Sequence, residues 1–77
     1  MKLKSLGSNK TELHLNNGTI VFFSYETPVA ACLGTGGFIR TNTKYSVTTS
    51  KHITRWLAGA NAKLVPQSDI NDLVGEK

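Results

Sequence analysis

The sequence predicts a small α+β domain: an antiparallel meander of about four strands, one amphipathic helix packed on it, and a short C-terminal helix. Three observations predict it. Asn16-Asn17-Gly18 joins two runs of β character, Thr11 to Leu15 and Thr19 to Tyr25. Ile53, Trp56, Leu57 and Ala60 then fall at i, i+3, i+4 and i+7, one stripe of an α-helix. Finally, 77 residues of 39% apolar composition leave room for one core and one domain, 1–77. A chain of this size buries only about 60% of its unfolded surface, so an oligomeric partner or a bound ligand is a reasonable expectation.

Taken in order, residues 1–9 are polar and without period, and read as a frayed lead-in. Leu13 and Leu15 alternate with Glu12 and His14, the mark of a half-buried strand. Asn-Gly favours a type I′ turn, with positive φ at both central residues. Thr19 to Tyr25 is rich in β-branched and aromatic residues and makes the return strand. It is apolar on both faces through Phe23, which marks a strand that is central or covered on one face by a helix. Thr27-Pro28 breaks the strand, because proline cannot donate to a ladder. Val29 to Leu33 reads as a third strand, Gly34-Thr35-Gly36-Gly37 as its turn, Phe38 to Thr41 as a fourth strand, and Lys44 to Val47 as a short extended piece. The strands thus occupy 11–47. The helix follows over 49–60, with Thr48, Thr49 and Ser50 as N-cap candidates and Gly59 or Asn61 as its stop. In the tail, 62–77, Ala62 to Val65 reads as a short strand, and Ser68 to Val74 as a short helix or turn. Ser68 is its N-cap and Asp69 stands in the first turn, where the helix dipole favours an acid.

Several function classes are disfavoured by the residues themselves. The longest apolar runs, Ile20 to Phe23 and Val29 to Leu33, fall far short of the roughly 20 residues that span a bilayer. Met1-Lys2-Leu3-Lys4 lacks the apolar stretch of a secretory signal, so the expectation is a cytoplasmic protein without a membrane partner. Without such a signal, Asn9-Lys10-Thr11 and Asn17-Gly18-Thr19 do not read as glycosylation sites. A thiol nucleophile would need Cys32 beside His14 or His52, yet Cys32 lies in a small apolar run and reads as packed core. Two histidines without a helically spaced carboxylate match no metal template, and His52 reads as solvated. Glu12 and Glu26, on or beside the hairpin, read as solubilising charges on an edge. Gly37 leads into Phe38 and a strand rather than a helix, so the glycine cluster is a hairpin turn and not a phosphate loop. The reading is therefore of a non-enzymatic protein with no catalytic residue, no metal and no cofactor.

Charge points elsewhere. The net charge is +4 and the pI about 9.5. Residues 1–63 hold eight bases and two acids, whereas residues 64–77 hold one base and three acids. Between Arg40 and Trp56 lie four cations, two aromatics and seven threonines or serines. A helix start flanked by hydroxyls and Lys51 is a ready phosphate seat. On this reading Arg40, Lys44, Lys51 and Arg55 meet phosphates, Thr49 and Ser50 position them, and Tyr45 stacks on a base. Beside it stands the plainer reading of ordinary capping, a core Trp56 and a solvated basic face.

Phe23-Ser24-Tyr25-Glu26-Thr27-Pro28-Val29-Ala30, then Arg40-Thr41, then Tyr45-Ser46-Val47-Thr48-Thr49-Ser50-Lys51-His52-Ile53 and Arg55-Trp56-Leu57, resemble in this order a group of short phage-encoded proteins of unknown function. The resemblance covers residues 13–57. Cys32 to Gly37 and the C-terminal tail depart from the pattern, and the motifs carry no activity, so no site residue is transferred. It implies a viral or prophage origin and an accessory role in the cytoplasm of an infected bacterial cell. The expected function is thus nucleic-acid binding through a basic helix face and the preceding strand, to DNA or RNA. The alternative is a protein-interaction module that docks on a host or phage protein, or on a second copy, through a sheet edge or the apolar strand Ile20 to Phe23.

Overall fold

The computed structural model describes residues 2–7 and 9–75. Six strands form one sheet in chain order: β1 (Lys2–Gly7), β2 (Lys10–His14), β3 (Ile20–Ser24), β4 (Thr27–Cys32), β5 (Phe38–Thr41) and β6 (Lys63–Val65). The first five are antiparallel neighbours, and β6 runs parallel to β5 with Arg40 opposite Leu64. A parallel neighbour needs a crossover, and α1 (Val47–Leu57) supplies it. A second helix, α2 (Gln67–Leu73), follows β6. The α+β class holds, but the sheet is larger than the expected four-strand meander and is mixed rather than purely antiparallel.

The lead-in is the largest departure. Residues expected to fray form β1, pairing Leu3 with Leu13 and Lys4 with Glu12. The reason is visible only with the register in hand. Leu3 falls on one face and Leu6 on the other, where it packs on the α1-side core, so the segment shows no simple alternation. Between β2 and β3, Leu15 and Thr19 close a three-residue loop, residues 16–18, with Leu15 N–H donating to Thr19 O at 2.8 Å and Gly18 N–H to Leu15 O at 3.2 Å. Only Gly18 takes positive φ (90°), so this is a type I turn closed by a glycine bulge rather than type I′.

Pro28 does not end the strand. It lies inside β4, opposite Phe23, while Ala30 lies opposite Phe22, so Val29 is an extra residue in a β-bulge. β5 pairs with β4 only from Ala30 onward, so the missing N–H of Pro28 costs no bond to β5. The bulge turns Val29 and Ala30 to the same face, where both are buried.

Residues 44–46 are irregular, and α1 begins at Val47, earlier than expected. Its N-cap is Ser46, whose Oγ accepts from Thr49 N–H at 3.1 Å, not one of the three hydroxyls that follow. It stops at Ala58, which takes the left-handed conformation (φ 52°), with Gly59 next. Likewise α2 starts at Gln67 with Pro66 at the N-cap position, rather than being capped by Ser68.

Consecutive residues of β3 point to opposite faces, and both faces are covered. Val21 packs with Leu13, Ala31, Val65 and, from α2, Ile70. Phe22 packs with Val29, Ala30 and, from α1, Ile53 and Leu57. Val21 and Phe22 are both fully buried, so the apolar strand expected to offer a docking face is instead the centre of a helix–sheet–helix sandwich. None of the helices among the described residues is long and apolar enough to cross a membrane.

Candidate nucleic-acid interface

The sheet register decides where the cations go. Lys2 lies opposite His14, and Lys4 opposite Glu12. Glu12 Oε2 accepts from Trp56 Nε1–H at 2.7 Å, so this face of β1 and β2 is the α1 face. Lys10 lies opposite Ser24, whose hydroxyl is 2.9 Å from His52 Nδ1 on α1, so it belongs to the same face. Arg40 shares the face with Ala30 and Leu64, Lys51 and Arg55 are exposed on α1, and Lys44 is exposed in the loop before it. Among the described cations only Lys63 lies elsewhere, opposite Ile39 on the α2 side. That second side carries Asp69 and Asp72 on α2. The molecule is therefore electrically two-sided, basic over α1 and mixed over α2.

Glu12, a carboxylate on the basic face, is occupied. His14 Nε2–H donates to Glu12 Oε1 at 3.0 Å, and Trp56 holds the other oxygen. Burial pushes the Glu12 carboxyl up, but the Trp56 and His14 hydrogen bonds and the nearby charges of His14 and Lys4 outweigh it, and the group sits below its ordinary value. Trp56 is fixed by stacking on Phe22 (5.0 Å between centroids) and by an edge contact with Phe38 (6.3 Å). Glu12 is thus part of the helix–sheet joint rather than a free edge charge.

The residues expected at the site fall into two groups. Arg40, Lys44, Tyr45, Thr49 and Ser50 line a cleft of about 400 Å³ between residues 42–46, the first turn of α1 and Leu64 of β6. Lys51 and Arg55 stand apart from it, on the outer surface of α1. Thr49 is buried, and its hydroxyl accepts from Ser24 Oγ and Ser46 Oγ, both at 3.3 Å. Ser50, exposed one residue later, is open to meet a ligand at this end of α1, as is Thr48. Lys2, Lys4 and Lys10 join the basic face without having been expected there. Their signal, lysines at positions 2 and 4 alternating with leucine, was present but attached to a segment read as unstructured.

Other chemistry-bearing residues are engaged or isolated. Ser24 and His52 form a close pair, but Ser24 is only 2% exposed and cannot be reached by a substrate. Cys32 is a free, half-buried thiol. No group of three or more His, Cys, Asp or Glu side chains among the described residues is arranged to hold a metal ion.

No curated protein and no solved structure matches this chain. A family model does match, over residues 1–72, which takes in β1 to β6, α1, all but the last residue of α2, and the whole basic face. By that match the chain belongs to DUF8033, a family of unknown function.

Proposed function

We propose that this protein is a small, non-enzymatic accessory protein of phage origin that binds nucleic acid through the α1 face of its sheet in the host cytoplasm. The observation that carries the reading is the segregation of charge. Lys2, Lys4, Lys10, Arg40, Lys44, Lys51 and Arg55 share one side of the molecule. The carboxylate among them, Glu12, is taken up by Trp56 and His14. A surface that only kept the protein soluble would have no reason to gather its bases on one face. Gathered cations suit a row of phosphates, whose released counterions drive association. On α1 the outward residues Thr48, Ser50, Lys51 and Arg55 are short hydroxyls and long cations, a pairing suited to phosphate oxygens.

The test is fluorescence anisotropy with labelled single- and double-stranded DNA and RNA, at low and near-physiological salt. Binding should fall steeply as salt rises, and Lys51→Ala or Arg55→Ala should each lower the salt slope by about 1. Absence of binding at low salt, or slopes unchanged in both variants, rules the assignment out.

One observation favours a second reading, a protein-interaction module. β1 is an open sheet edge, and its Leu3 is 68% exposed beside a shallow hollow shared with Phe23 and Tyr25 on the α2 side. An added strand from a host protein, a phage protein or a second copy would pair there. Against it, Lys2 and Lys4 guard the edge. Light scattering at high concentration with Leu3→Lys as control separates the two, since a dimer sealed by Leu3 would dissociate.

A further inference from the structure

The cleft beside α1 has two chemically different walls. Arg40 and Lys44 bring positive charge, and no carboxylate is among the residues that line it. Arg40 Nε is shut off from solvent and has no acceptor among the described residues. With no carboxylate beside it in the cleft, the charge of the Arg40 guanidinium is left to be met by an anion from outside the chain. Guanidinium geometry matches a phosphate, which it can grip through two N–H groups.

The other wall is apolar and open. Tyr45 is 45% exposed, Val47 73% and Leu64 63%. Among the described residues just five large apolar side chains are exposed, and these three all border this cleft. Inorganic phosphate needs no apolar wall. A purely apolar ligand would leave Arg40 unmet. A ligand that carries a phosphate beside a flat ring satisfies both, and a cleft of about 400 Å³ lies in the range that holds small molecules.

We infer that this cleft seats one nucleotide unit, with its phosphate at Arg40 and Lys44 and its base against Tyr45, Val47 and Leu64. The inference rests on the nucleic-acid reading above and sharpens it: the outer face of α1 tracks the backbone, while the cleft holds a single unpaired nucleotide. Stacking on an aromatic ring is how unpaired bases are held with little regard to sequence. The same seat fits a nucleoside monophosphate free in solution, and the experiment separates these sources.

The experiment follows the backbone amides, the Arg40 Nε–H and the side-chain methyls of the whole chain by NMR at low salt. The probes are inorganic phosphate, AMP, a short oligothymidylate and a blunt duplex. Oligothymidylate is expected to move Arg40 Nε–H and the methyls of Val47 and Leu64. Tyr45→Ala and Leu64→Glu should each weaken its binding about tenfold, given what one base stack contributes. Both side chains are exposed, so these variants do not depend on Arg40→Met, a change in a half-buried residue, remaining folded. AMP moving the cleft as tightly as the oligonucleotide supports the seat and assigns it to free nucleotides. Inorganic phosphate binding as tightly as AMP overturns the inference, because the apolar wall then contributes nothing. Oligonucleotide binding that moves Lys51 and Arg55, leaves the cleft still and ignores both variants also overturns it, while the broader reading stands. Silence with every probe removes both.

Discussion

Glu12 ties its own strand to the helix, holding His14 two residues on and Trp56 on α1. Its carboxyl is held below the ordinary value, so the linkage has a definite sign. A depressed folded-state value adds stability above the unfolded value of about 4.3, and that gain is lost as pH falls through the lower folded value. Glu12→Gln keeps an acceptor for the Trp56 N–H but removes the charge. It should therefore cost about 1 kcal/mol at neutral pH, the scale of a charge-assisted hydrogen bond less its neutral counterpart. Urea unfolding of both proteins at pH 7 and near pH 3 checks this, and a gap that does not narrow in acid contradicts it. The sequence shows Glu12 only as an acid on a strand, which is why an edge role was expected. Its partner lies 44 residues away, and nothing local to position 12 announces an indole. Trp56 is the converse case, because its place on the apolar stripe already marked it as core.

At the scale of elements, the two ends of α1 test how local chemistry sets a boundary. Ser46 accepts from Thr49 N–H, so Ser46→Ala should cost about 1 kcal/mol, whereas Thr48→Ala on the exposed side should change stability by less than about 0.5 kcal/mol. At the other end Ala58 stands at φ 52°, where a Cβ is unfavourable, so Ala58→Gly should stabilise by about 0.5–1 kcal/mol. Denaturant midpoints of the three variants decide both points, and equal losses at Ser46 and Thr48 would discredit the cap. The run Ser46 to Ser50 holds four hydroxyls, each a competent cap by type, so the sequence locates the helix but not its first turn. Strands that alternate cleanly, such as Leu13 and Leu15, were legible for the same reason the helix stripe was: burial imposes a period. Pro28 misled because a rule about ladders was applied where β5 does not reach, and β1 was lost because Leu3 and Leu6 serve opposite faces.

For the whole molecule, what matters is which side of the sheet each charge occupies. The sequence shows a basic first part and an acidic tail. It does not show that α2 docks on the face opposite α1, carrying Asp69 and Asp72 away from the bases, because the residues that Ile70 packs on, Leu13, Val21 and Ala31, come together only in the assembled sheet. Two lysines make a controlled comparison. Lys2 in β1 and Lys63 in β6 are both exposed and lie at opposite edges of the sheet, but Lys2 is on the α1 face and Lys63 is on the other. Lys2→Ala and Lys63→Ala lower the net charge equally, so any effect of overall charge on association is the same in both. If the α1 face meets the phosphates, Lys2→Ala lowers the salt slope of oligonucleotide binding by about 1 and Lys63→Ala leaves it unchanged. Equal slopes in the two variants would mean that net charge alone draws the protein to nucleic acid, and that the side the sheet gives each lysine has no part in binding.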